Sequence, residues 1–245
     1  MRLYLELESR NLRYIELPLQ YNHLVQGMIY DNLSDSLANF LHEIGFTYGK
    51  RRFKLFTFSR ILGRMRVDDG KAIFKSPVKL AISSPIDRFV KELSTTLLKR
   101  GVLSLGGTTL CISNMSFPKC INVNGEVEVR MLSPVTVYST LYTPEGMKKT
   151  YYYSPYETEF SRLIEENAKK KYYLLHKRLL KRGGLRIELA SPRKSREVIV
   201  LYKGTVIKGW MGRFILKGAK SLIKTLYETG LGSKNPQGFG MFEVI

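Results

Sequence analysis

The sequence predicts an α+β protein of two tandem domains, each with its strands and helices in the order β-α-β-β-α-β. Segments in which apolar and polar side chains alternate indicate half-buried strands, and segments with apolar residues at helical spacing indicate helices. These segments follow in the same order in both halves, which is the split pattern of the ferredoxin-like (RRM-like) fold. Because turn-forming residues cluster between Pro118 and Gly125, we expect domains at residues 1–121 and 122–245.

The first half begins with a strand, because Arg2 to Glu8 alternates between apolar and polar side chains. A first helix is expected with Asn22 as its N-cap, and a second helical stretch after Ser34 should stop at Gly45. The segment FKLFTFS predicts a strand, and a further helix should open at Pro85-Ile86-Asp87 and run to about Arg100. Other strands are expected around residues 61–67, 78–83, 102–105 and 109–117.

The second half opens with strands expected at residues 127–131 and 135–142, followed by the aromatic segment YYYSPYE. A long helix is expected from about Tyr156 to Leu180. Two strands, at residues 185–189 and 198–208, should then precede a helix from Gly212 to Thr229 and a last strand over residues 240–245.

The chain is strongly basic, with 40 Lys and Arg against 21 Asp and Glu and a formal net charge of +19. So large an excess repels itself, and the usual reason to keep it is a polyanionic partner such as a nucleic acid. The alternative is a basic surface that serves solubility, although acidic residues serve solubility better than basic ones.

Several classes of protein are disfavoured. The start, MRLYLELESR, is a strand pattern rather than a signal peptide, and no apolar run approaches the roughly 20 residues that span a bilayer. We therefore expect a cytoplasmic protein with no membrane partner. Cys111 and Cys120 cannot build a disulfide framework, nor, with only three histidines, an ordinary zinc site. Because a carboxylate pair and a cofactor motif are also lacking, we expect no cofactor, no metal and no metabolic enzyme.

His42 is a candidate for chemistry because of its position in the second helical stretch. The apolar face there is formed by Leu37, Leu41 and Ile44, and a turn of about 100° per residue carries His42 away from it. The alternative is an ordinary surface histidine. Tyr30 likewise projects away from the buried face of its helix, so it either packs under a neighbouring loop or is available to a ligand.

Two basic segments are candidates for RNA contact. Lys54 follows Lys50, Arg51 and Arg52, a cluster of cations that indicates either phosphate contact or a solvated loop. The segment GLGSKNPQGFG follows a helix and precedes a strand, the reverse of a P-loop, so nucleotide binding of that kind is disfavoured. It could bind RNA or form a tight-packing turn. Its candidate residues are Gly230, Gly232, Ser233, Lys234, Asn235, Gly238 and Gly240.

Taken together, these segments resemble the CRISPR-associated repeat-RNA endoribonucleases of the RAMP superfamily, the sixth Cas family. The resemblance runs through PLQYNHLVQGMIYDNL, LANFLHEIG and FKLFTFS, resumes at MLSPVTV, and ends in GLGSKNPQGFGMFEV. It therefore covers both halves in order. The glycine-rich segment occurs across the superfamily, whereas the tyrosine, histidine and FKLFTFS series points to this family.

The resemblance implies two ferredoxin-like domains and cleavage of a CRISPR precursor transcript within each repeat. It implies a metal-independent reaction in which the 2′-hydroxyl upstream of the scissile phosphate attacks it, giving a 2′,3′-cyclic phosphate and a 5′-hydroxyl. The family's catalytic positions fall on Tyr30, His42 and Lys54. The loop between His42 and Lys54 looks longer than in comparable members, which leaves Lys50, Arg51 or Arg52 as alternatives to Lys54.

The residue chemistry fits that reaction. Internal attack needs a base near the 2′-hydroxyl, an acid near the leaving 5′-oxygen and a cation for the growing phosphorane charge. We expect His42 to be the general base or acid, Tyr30 its partner and Lys54 the stabilising cation. The expected partner is single-stranded or hairpin repeat RNA, bound by a monomer or homodimer that could join a CRISPR effector complex. The alternatives are a non-catalytic RNA-binding RAMP subunit and a protein that binds DNA or ribosomal RNA.

Overall fold

The computed structural model describes residues 1–10, 13–118, 121–191 and 195–245, so that Cys120 lies outside the described residues. The chain divides into two compact units of mixed α/β structure. The first contains Met1–Cys120 and Pro236–Gly238, and the second contains Ile121–Asn235 and Phe239–Ile245. We had expected residues 236–238 in the second domain. In the described part of the chain, no helix is long and apolar enough to cross a membrane.

The first unit is built on a five-stranded sheet with the order β5-β8-β1-β10-β9, in which all neighbours are antiparallel. Its strands are β1 (Arg2–Ser9), β5 (Thr57–Phe58), β8 (Val78–Ser83), β9 (Val102–Leu105) and β10 (Thr108–Ser116). Its helices are α1 (Asn22–Asp31), α2 (Asp35–Asn39) and α3 (Asp87–Arg100). Smaller sheets are formed by β2 (Tyr14–Pro18), β6 (Met65–Asp68) and β7 (Lys71–Lys75), and by β3 (Phe46–Tyr48) and β4 (Arg51–Phe53).

The core of the first unit follows from the alternation in β1. Leu3, Leu5 and Leu7 are buried on one face of the strand and pair with residues of β8. Val25, Met28 and Ile29 of α1 belong to the same cluster, as the helical periodicity predicted. The predicted N-cap was wrong: α1 begins at Asn22 without a side-chain cap, and the Asn22 amide instead donates to the carbonyl oxygen of Gln237 over 2.8 Å.

The predicted strand FKLFTFS is interrupted, and so is the second helical stretch. The strand breaks between β4 and β5, where Leu55 has a positive φ of 52°. The helical stretch passes from α2 into a π-helical turn over Phe40–Ile44. The wider π-turn changes the phase of the following residues. As a result Ile44, which we predicted on the apolar face, is 58% exposed.

The second unit has a four-stranded antiparallel sheet with the order β14-β17-β11-β18. Its strands are β11 (Glu126–Met131), β14 (Leu185–Leu189), β17 (Arg213–Gly218) and β18 (Phe242–Val244). The helices α4 (Thr158–His176) and α5 (Lys220–Thr229) supply much of its core. Two hairpins are added, one of β12 (Tyr138–Tyr142) and β13 (Lys148–Tyr152) and one of β15 (Arg196–Tyr202) and β16 (Thr205–Met211).

Two predictions for the second half were wrong. The helix expected from Gly212 to Thr229 is a strand followed by a helix, because Phe214 and Leu216 are buried at the two-residue spacing of a strand and pair with β11 and β14. The strand expected over residues 198–208 is a hairpin. It turns at Lys203 and Gly204, which have positive φ values of 46° and 78°.

Candidate active site

Tyr30 lies at the end of α1 and is half-buried. Its ring packs edge to face on Phe56, with centroids 5.9 Å apart and the planes at 79°. Phe56 belongs to the interrupted segment before β5. The sequence left two alternatives for the Tyr30 side chain, and the first of them, packing under a neighbouring segment, is observed. It holds the ring in one place, with its other contacts directed toward His42 and Lys54.

His42 lies in the π-helical turn, and its side chain is 68% exposed. This exposure agrees with its predicted position away from the apolar face. Its ring meets the Tyr30 ring edge to face, with centroids 6.1 Å apart. The Nδ1 atom lies 2.5 Å from a carboxylate oxygen of Glu43, so that Nε2 is the ring nitrogen left for a substrate. π-helical turns occur often at functional sites.

Lys54 completes the group from the segment between β4 and β5. Its Nζ atom lies 5.7 Å from the centroid of the Tyr30 ring and donates to the main-chain carbonyl oxygen of His42 over 3.3 Å. The next residue, Leu55, is buried with positive φ, and its carbonyl oxygen accepts from the Ser84 hydroxyl over 2.9 Å. This contact holds a backbone conformation that is rare for leucine and that takes Lys54 out of the strand pattern.

The charges around His42 favour an ionised carboxylate beside it. The hydrogen bond and the charge of His42 lower the pKa of Glu43, and Lys54 and Arg52 add to this effect. Arg52 also donates to the carbonyl oxygen of Glu43 over 2.7 Å. Among the four predicted cations, Lys54 contacts Tyr30 and His42, Arg52 contacts the π-helical turn, and Lys50 and Arg51 are exposed in the β3–β4 hairpin.

The glycine-rich segment, residues 230–240, is closely packed. All four of its glycines and Asn235 are buried, and a Cβ at Gly240 would overlap the carbonyl oxygen of Leu231. The Asn235 amide donates to the carbonyl oxygens of Leu231 and Phe239 over 2.8 and 3.0 Å. Gly230, Gly232, Gly238, Gly240 and Asn235 thus have the close packing that one of the two alternatives predicts. Within the segment, two predicted contacts remain half-exposed: Ser233 and Lys234.

Sequence reasoning missed two residues that touch these groups. Glu43 is adjacent to His42, and its proximity in sequence was the available signal. Lys171 lies on the buried face of α4 together with Ile164 and Ala168. The signal in the sequence was a lysine at a position where helical spacing predicts an apolar, buried residue. His176 is exposed at the end of α4. The described residues contain no group of three or more His, Cys, Asp or Glu that could hold a metal ion.

Comparison with known proteins agrees with this fold. A structure from the characterization of a Cas6-related gene of Pyrococcus furiosus has a TM-score of 0.86 at 21% identity, covering 100% of this chain and 98% of that one. A structure of a CRISPR associated protein Cas6 has a TM-score of 0.80 at 25% identity, covering 100% and 99%. The fold is therefore that of these Cas6-type proteins.

The sequence comparisons are more specific. The family model for the C-terminal part of the CRISPR associated protein Cas6 matches residues 117–244, and the model for its N-terminal part matches residues 16–116. The CRISPR-associated endoribonuclease Cas6 1 of Methanocaldococcus jannaschii is 29% identical, covering 98% of this chain and 91% of the relative. The CRISPR-associated endoribonuclease Cas6 of Pyrococcus furiosus is 27% identical, covering 95% and 85%. The chain belongs to the Cas6 family of CRISPR-associated proteins, which confirms the resemblance.

Proposed function

We propose that this chain is an endoribonuclease that cleaves CRISPR precursor transcripts within the repeat, without a metal ion. The observation that carries the proposal is the convergence of an imidazole, a phenol and an ammonium group at Tyr30, His42 and Lys54. These groups come from a helix, a π-helical turn and a loop, and they are the groups that internal attack on a phosphodiester requires. The relatives from M. jannaschii and P. furiosus carry the name endoribonuclease.

In the proposed reaction the 2′-hydroxyl loses its proton and its oxygen attacks the adjacent phosphorus. The bond from phosphorus to the 5′-oxygen breaks, and that oxygen takes up a proton. The products are a 2′,3′-cyclic phosphate and a 5′-hydroxyl. His42 moves one of these protons through Nε2, because Glu43 holds Nδ1. The Tyr30 hydroxyl, whose oxygen is buried, is the proposed partner of His42 at the other oxygen. The Lys54 ammonium stabilises the charge that grows on the phosphorane.

Each unit is proposed to be a ferredoxin-like domain. The proposed domain boundaries, residues 1–121 and 122–245, differ from the compact units at residue 121 and at residues 236–238. In the first unit the order β1, α1, β5, β8, α3, β10 along the chain supports this, since β1 lies between β8 and β10 in the sheet. In the second unit, β11 lies between β17 and β18 in the same way. Interleaving of two β-α-β units in one antiparallel sheet defines the split β-α-β pattern.

The proposed partner is single-stranded or hairpin repeat RNA, bound by a cytoplasmic monomer or homodimer that could join an effector complex. The net charge of +19 supports a polyanionic partner. Lys50, Arg51 and Arg52, in or beside the exposed turn of the β3–β4 hairpin, are proposed to contact phosphates near the catalytic residues. Ser233 and Lys234 are proposed as a second phosphate contact.

The experiment uses a synthetic repeat RNA and the same RNA with a single 2′-deoxy substitution upstream of the cut. We expect one discrete cut in the unmodified RNA, with a 2′,3′-cyclic phosphate, and equal binding but no cut in the substituted RNA. Cleavage should persist in excess EDTA, and its loss there would contradict the metal-free mechanism. If the all-ribose RNA binds but is not cut, the chain is instead a non-catalytic RNA-binding subunit. If DNA binds equally well and neither nucleic acid is cut, the chain is a general nucleic-acid-binding protein.

A further inference from the structure

The second unit contains a buried lysine that the proposed reaction does not use. Lys171 lies in α4 and is only 2% exposed. Its Nζ atom donates to the carbonyl oxygens of Gly230 and Gly232 over 2.8 and 3.0 Å and to Oδ1 of Asn235 over 2.7 Å. All three acceptors belong to the glycine-rich segment that follows α5.

The geometry matches an ammonium group. A buried charge is costly unless its hydrogen-bonding groups are all satisfied, and an ammonium has three donors and no acceptor. Here three donors meet three acceptors. Two main-chain carbonyl groups and one amide oxygen are turned inward toward a single point, which is how a loop would coordinate a bound cation. In its charged form, below its pKa of about 7, Lys171 therefore acts as an internal cation for this segment.

The residues between these acceptors are the accessible ones. Ser233 and Lys234 lie between Gly232 and Asn235 in sequence and are half-exposed. The amide of Ser233 donates to the carbonyl oxygen of Thr136 over 2.8 Å. Lys234 has a positive φ of 57°, which is rare for a residue with a side chain. The two residues that flank the pair, Gly232 and Asn235, each supply an acceptor to Lys171, so the backbone of Ser233 and Lys234 is held at both ends.

The side chain of Lys234 is directed by an aromatic ring. Its Nζ atom lies 5.0 Å from the centroid of the Tyr138 ring, in β12. Burial lowers the pKa of Lys234, while the ring face attracts its charged form. The amino group is therefore held in one place rather than moving freely on a long side chain. Holding a contact group in advance saves the conformational entropy that binding would otherwise cost.

We propose that Lys171 is a positioning residue that fixes the segment from Gly230 to Asn235, so that Ser233 and Lys234 are presented to an RNA phosphate. The inference rests on the proposed function, since RNA is the ligand. It adds a role for a residue that cannot touch RNA itself because it is buried. The ligand chemistry is a phosphodiester, contacted by one ammonium group and one hydroxyl.

A double-mutant cycle on repeat-RNA affinity tests the proposal. Lys234→Ala should weaken binding by about tenfold at low salt, since it removes one phosphate contact. Lys171→Met should weaken it by a similar factor, and the double variant should bind no more weakly than Lys234→Ala alone. Two residues that act independently would give about a hundredfold loss in the double variant, which would overturn the proposal. Lys169→Met removes an exposed charge from the same helix and should leave affinity nearly unchanged.

Amide exchange in the unsubstituted protein gives a test that does not depend on the folding of Lys171→Met. The amides of Ser233 and Gly240 donate to the carbonyl oxygens of Thr136 and Pro134, so in a preformed segment they exchange slowly with and without repeat RNA. Fast exchange that slows only on RNA binding would overturn the proposal. If Lys234→Ala binds repeat RNA as tightly as the unsubstituted protein, the second phosphate contact in the proposed function is wrong. Faster exchange in Lys171→Met than in Lys169→Met would still support the positioning of the segment by Lys171.

Discussion

The imidazole ring of His42 meets the phenol ring of Tyr30 edge to face, with ring centroids 6.1 Å apart. His42 is held by a π-helical turn and Tyr30 by its packing on Phe56. One ring is exposed and the other is half-buried, so the imidazole is accessible to solvent while packing fixes the phenol.

Replacing His42 should abolish most of the cleavage without preventing binding. We expect His42→Ala to lower the single-turnover cleavage rate by about 10²–10⁴, or about 2.7–5.5 kcal/mol, because a positioned proton-transfer group contributes this much. RNA affinity, measured by filter binding, should be largely kept. His176→Ala is the matched control, since His176 is exposed on α4, and it should cleave normally. An affinity loss as large as the rate loss would make His42 a binding residue.

Lys54 and Lys50 should differ in what they affect. Lys54→Met should lower the single-turnover rate by about tenfold to a thousandfold, because it removes the charge that we propose stabilises the transition state. Lys50→Met removes the same charge from the exposed hairpin and should weaken RNA binding several-fold with the rate at saturation kept. The two variants are assayed side by side with saturating and limiting protein. The reverse pattern would assign the catalytic cation to Lys50.

Binding of repeat RNA should depend strongly on salt. If about five phosphates are contacted, the affinity should fall on the order of a hundredfold between about 50 and 200 mM salt, because condensed counterions are released on binding. Titration of a labelled repeat RNA at four salt concentrations measures the slope. A flat response would show that the net charge of +19 serves solubility rather than RNA binding.

The buried amine of Lys171 should make stability depend on pH. Burial lowers its pKa from 10.5 to about 7. Between these values the unfolded chain holds a proton at this residue that the folded chain has lost, so the free energy of unfolding should rise with pH. Urea denaturation at about pH 6.5, 8 and 9.5 should show a steeper rise for the unsubstituted protein than for Lys171→Met. Parallel curves would show that the three acceptors keep Lys171 charged throughout.

The sequence alone determined the features that depend on neighbouring residues. The alternation of apolar and polar side chains from Arg2 to Glu8 predicted β1. The helix predicted to end at about Arg100 is α3, which ends there with Gly101 as its C-cap. The exposure of His42 and the excess of basic residues also followed from local spacing and composition. The quoted motifs pointed to the family because they span both halves in order.

Only the tertiary structure decided how distant segments meet. Lys54 lies beside Tyr30 because the backbone turns at Leu55, whose carbonyl oxygen is held by Ser84, a residue 29 positions away. The acceptors of Lys171 lie 59, 61 and 64 positions further along the chain. Periodicity describes only one element at a time, so it could not distinguish β17 from a continuation of α5 or reveal why a lysine occupies an apolar helix face.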